Sequence, residues 1–102
     1  MREIKELACD IKRELKQADK YAREAVKHKE QYHDLAQDYY RLASDALEHV
    51  DTLHKEAVAM IDKAKRSDME IPKAMTEIWS WFHELMIEEQ AEVRRLLDMY
   101  KA

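Results

Sequence analysis

Between Tyr40 and Ala57 the chain places Ala43, Ala46, Leu47, Val50, Leu53 and Ala57 at the i, i+3, i+4, i+7 intervals of one helix face. His54 falls within that face and His49 at its edge, so two imidazoles point toward the core side and need polar partners there. Upstream, Ile4, Ala8, Ile11, Leu15, Ala18, Ala22 and Ala25 recur in alternating steps of four and three, with Leu7 and Val26 widening the stripe. This predicts a first helix over residues 2–28. Segment 28–34 reads as a turn, with Asp34 as N-cap of a second helix over 34–66. The apolar seam nevertheless continues in phase through Tyr32, Ala36, Tyr39 and Ala43, broken only by Lys29. One unbroken helix to residue 66, roughly 100 Å long, is therefore the rival reading.

Arg66, Ser67 and Asp68 close the second helix, and Pro72 suits the first turn of a third, where its missing N–H costs nothing. That third helix, 72–101, carries Met75, Ile78, Phe82, Leu85, Met86, Val93, Leu96 and Tyr100 on a wide stripe bordered by Trp79 and Trp81. The stripe covers roughly 160° of the helix, beyond the ~100° that one packed face requires, so oligomerisation is expected, with a dimer favoured. Glu89 lies within it. A carboxylate among Phe82, Met86, Val93 and Leu96 must either meet a basic or metal partner or face a wet gap or a second chain.

Composition sharpens the class. Glycine is absent, proline occurs once, and 39% of residues are charged, which excludes turn-rich β folds and fits three long antiparallel helices in one all-α domain. A formal net charge of −4 with interspersed signs gives no basic face for nucleic acid. Apolar runs of at most five residues fall far short of a membrane span, and no hydrophobic signal core opens the chain; the expectation is a cytoplasmic protein. Cys9 lies off the apolar stripe and reads as a solvated thiol.

Candidate chemistry follows from aligning the helices about their turns. Glu14, Asp45, His49 and either Glu89 or Glu92 then share a layer at mid-bundle, with His54 about a turn away. Carboxylates and imidazoles projecting from facing helices suit iron, manganese or zinc. A hydrogen-bonded histidine–carboxylate network without metal satisfies the same groups. The pairs Glu30/His33 and Asp51/His54 are unspecific in so charged a chain, and Ser44, Ser67 and Ser80 lack a histidine and an orienting acid, so the reading leans away from an enzyme. Two tryptophans and six methionines favour adaptable contact surfaces, with Trp79, Trp81, Met86 and Ile87 as candidate interface residues.

The run LAQDYYRLASDALEHVDTLHKEA (Leu35 to Ala57), the Tyr21-bearing helix before it and AEVRRLLDMYK (Ala91 to Lys101) after it resemble small ferritin-like helical proteins encoded in prophages and phage-like elements of Firmicutes. The resemblance implies a ferritin-like bundle whose first helix offers Glu14 and whose second offers a Glu-x-x-His motif ending at His49. Ala46 stands where that motif has its glutamate, which leaves a two-metal centre incomplete. The leading expectation is thus a non-enzymatic bundle working by self-association or protein binding. A metal-binding ferritin-like protein with a degenerate site is the alternative. An inhibitor of a host defence protein, with a host or phage protein as partner, is the third.

Overall fold

The computed structural model describes residues 2–67 and 72–102. It is all-α: α1 (Arg2–His28), α2 (His33–Arg66) and α3 (Lys73–Lys101) follow one another, with no strand among the described residues. The molecule measures 56 × 18 × 18 Å. That long dimension is set by α2, whose 34 residues span about 51 Å at the helical rise.

The chain does break between α1 and α2. The Tyr32 N–H donates to the His28 carbonyl at 2.9 Å, and the Tyr32 carbonyl accepts from the Ala36 N–H at 2.9 Å, so α2 begins one residue before the predicted cap. Asp34 consequently sits in the first turn, where its charge faces the positive end of the helix dipole, rather than at the N-cap. At the far end the Ser67 N–H and Oγ both donate to the Lys63 carbonyl, at 3.1 and 2.9 Å. Asp68, expected to help close α2, lies outside the described residues. Pro72 occupies the N-cap of α3, one position earlier than expected, and its carbonyl accepts from the Met75 and Thr76 N–H groups.

Alanine dictates how the helices meet. Along α2, Ala36, Ala43, Val50, Ala57 and Ala64 recur every seventh residue and all are buried. Along α1, Ile4, Ile11, Ala18 and Ala25 do the same, with Leu15 and Ala22 between them. A seven-residue repeat winds two helices along a common seam, and methyl-sized side chains let their backbones approach closely. The α1–α2 hairpin is accordingly the most intimate pairing in the molecule, while α3 lies chiefly against α1. Large side chains bridge α3 to α2: Tyr40 stacks on Tyr100 with ring centres 5.0 Å apart, and His54 on His83 at 4.9 Å.

The core-facing residues of α3 are Phe82, Met86, Gln90, Val93, Leu96 and Leu97. Two successive steps of four, from Phe82 to Met86 to Gln90, rotate the buried stripe and turn Gln90 inward where a strict seven-residue repeat from Phe82 would have selected Glu89. Near the α1–α2 turn, Lys29 Nζ donates to the carbonyls of Met99 and Ala102 at 3.3 and 2.8 Å, placing a cation at the negative end of α3. This orients α3 parallel to α1 and antiparallel to α2.

Enlarging the seam should therefore be costly. Ala43→Leu is expected to destabilise by about 2 kcal/mol, whereas Ala91→Leu on the exposed side of α3 should stay within about 0.5 kcal/mol, both measured by urea unfolding.

Candidate functional site

The predicted polar layer assembles only in part. Glu14 and His49 do meet across the α1–α2 border, with Glu14 Oε2 3.3 Å from His49 Nδ1. Their long contact sits where the His49 side chain is 61% exposed, so it has the character of a surface pair of small energetic weight. Asp45 is exposed on α2 and does not join it. Glu92 lies instead on the α1–α3 border, held by Arg95 at 2.7 Å and Arg23 at 3.6 Å. Hydrogen bonds from Arg95, reinforced by the charges of Arg95 and Arg23, keep its carboxyl below the usual carboxylate range. Glu89 is exposed beside Lys12, Lys16 and Asp19.

Among the described residues no three histidine, cysteine or carboxylate side chains converge as a metal ion requires. The donor set Glu14, Asp45, His49, His54, Glu89 and Glu92 is thus a correction to the sequence expectation. Glu14 and His49 supply two donors, Glu92 is committed to two arginines, and His54 belongs to another helix border. These residues do not fit a ferritin-like metal centre.

His54 faces α3. Its ring stacks on His83 and lies nearly coplanar in orientation with Trp79, at 11° and 6.2 Å between centres. An open cleft of about 310 Å³ adjoins it, bordered by Val58, Ser80 and Glu84. His54 Nε2 is buried with no hydrogen-bond partner among the described residues. Burial first, and then the neighbouring His83, push the His54 imidazole below its ordinary value, with Asp51 opposing. The neutral ring is the form that a buried nitrogen among aromatic neighbours favours. His83 escaped the sequence reading although Trp79 and His83 are four apart on α3; only the placement of α3 against α2 reveals that this pair lies opposite His54.

The candidate interface residues separate onto different surfaces. Met86 is 3% exposed and packs in the core, and Trp79 is partly buried against the same cluster. Ile87 is exposed but lies six positions from Trp81, on another side of α3. Trp81 is 65% exposed, and its true neighbours are Ile78, 56% exposed, and the half-buried Leu85. Ile78, Trp81 and Leu85 step by three and four along the outer face of α3, so they form one continuous apolar stripe. The sequence pattern placed Ile78 and Leu85 on the same wide stripe as Phe82 and Met86, without separating its core side from its outer side, because the whole stripe looks alike before the other helices are placed.

No helix among the described residues is long and apolar enough to cross a membrane. Comparison of the chain with protein families, with characterised proteins and with solved structures yields no match.

The His54 environment has a pH consequence. Because the folded state lowers its proton affinity, the unfolded chain binds the extra proton first as pH falls below about 6.5. Stability from this residue is complete above that value and is lost as pH drops toward the depressed folded value. Denaturation midpoints followed across this range should fall more steeply for the wild type than for His54→Leu; parallel curves would contradict the burial argument. In the same measurement at neutral pH, Glu89→Ala should change stability by less than about 0.5 kcal/mol, whereas Gln90→Ala should cost at least about 1 kcal/mol.

Proposed function

We propose that this protein is a non-enzymatic helical bundle that works by protein–protein contact, in the first place by self-association through the outer face of α3. The observation that carries this reading is the stripe Ile78, Trp81 and Leu85, in which Ile78 and Trp81 are more than half exposed and Leu85 is partly so. Contiguous exposed aromatic and aliphatic side chains on a helix are the usual centre of a protein interface, and a tryptophan there often dominates its energy. The ferritin-like reading draws support from the long antiparallel α1–α2 hairpin and the sequence resemblance. A prophage origin rests on the resemblance alone. Action against a host defence protein rests on that resemblance together with small size and acidity.

Sedimentation velocity tests the contact reading. The wild type should sediment as a dimer at micromolar concentration, and Trp81→Glu should weaken the dimer at least about 30-fold while retaining full helicity, since losing a central aromatic costs about 2 kcal/mol or more. A compact wild-type monomer at that concentration would overturn it.

A further inference from the structure

The Ile78–Trp81–Leu85 stripe is bordered by charges of opposite sign. On its α1 side stand Lys5, Lys12 and Lys16, and on the other edge of α3 stand Glu77, Glu84 and Glu88. Each row advances by seven positions and then four, so each keeps to one side of its helix. All six side chains belong to exposed residues, and none of them forms an ion pair among the described residues.

The two rows are also level with each other. Each glutamate follows its lysine by one constant interval, and that interval falls between the 70 and 73 positions that separate Lys29 from its contacts at Met99 and Ala102 on the parallel α3. Lys5 therefore lies at the height of Glu77, Lys12 at that of Glu84 and Lys16 at that of Glu88. Such a face has the lysine row on the left, with Asp19 and Glu89 beside Lys12 and Lys16, apolar side chains in the middle and the glutamate row on the right, the two rows level rung by rung.

Only one two-fold arrangement uses this pattern. An axis perpendicular to the helices would turn the partner antiparallel and set lysine row against lysine row and glutamate row against glutamate row. An axis parallel to the helices places each lysine row against the partner's glutamate row at equal height and brings the apolar segments together. Like charges placed in apposition oppose association, and opposite charges fix register and orientation.

We propose that the α3 face is occupied by a second copy of this chain, related by a two-fold axis parallel to the helices, with α3 packed in register against the partner's α3. This rests on the self-association reading above and specifies its geometry. Trp81 and Leu85 lie near the axis and meet their own counterparts. Lys12 and Lys16 face Glu84 and Glu88 of the partner.

Charge reversal in two separate chains tests it. Lys12→Glu with Lys16→Glu in one chain, and Glu84→Lys with Glu88→Lys in another, should each weaken self-association at least tenfold, about 1.4 kcal/mol, by sedimentation velocity, while circular dichroism stays unchanged. An equimolar mixture should restore the dimer, because both sides of the mixed interface then pair opposite charges. Independently, Leu85→Cys in a Cys9→Ser background should form a disulfide-linked dimer on mild oxidation, and Asp45→Cys in the same background should not. If the wild type dimerises but the mixture gives no restoration and Leu85→Cys no crosslink, the parallel geometry is overturned and the self-association reading stands. If the wild type is monomeric, both fail.

Discussion

The close approach of α1 and α2 along their alanine seam is the constraint from which the rest of the structure follows. With Ala18, Ala22, Ala25, Ala36, Ala43, Ala57 and Ala64 buried between them, the two helices leave little apolar volume to shield and little room for a third helix to wedge between them. Burial of methyl groups contributes modestly per residue, on the order of 25 cal/mol per Å². The hairpin therefore gains stability from length and close packing rather than from large side chains. In a chain of 102 residues this is a thin core, and the larger residues are concentrated on α3.

That division explains why α3 carries more apolar surface than it can bury. It rests in the groove on the α1 side and reaches α2 through Tyr100, His83, Trp79 and Gln90, large or polar groups that span a gap the alanine seam does not have. The buried nitrogen of His54, without a hydrogen bond among the described residues, and the open cleft beside it are consequences of that looser border. On the opposite side, Ile78 and Trp81 have no helix to cover them. A third helix pressed against an already close-packed pair covers one apolar side, and its outer side is the one the proposed protein contact would bury.

Helix number and class were legible in the sequence because periodicity over long segments reports which face is buried. The alternating steps of α1 pointed to all of its buried residues and to the partly buried Ala8, and counting from the turns brought Glu14 to His49. What periodicity lacks is the identity of the covering partner. On α3 the stripe was wide enough to hold both the core row and the outer row, so Ile78 and Met86 looked equivalent, yet one is exposed and the other buried. A single shift of repeat at Gln90 moved Glu89 out of the core. The His54 and His83 pairing depends on how α3 sits against α2, and the level alignment of the lysine and glutamate rows on the offset between parallel α1 and α3, both set by tertiary packing and absent from any local pattern.

Hydrogen–deuterium exchange at two protein concentrations tests the central claim most directly, because the alanine seam and the outer face of α3 make opposite demands on it. Amides of α1 and α2 along the seam should be the most protected in the molecule and indifferent to concentration, while protection in α3 around Ile78 to Leu85 should rise with concentration as that face is covered. Protection strongest in α3, or independent of concentration along its whole length, would contradict the account.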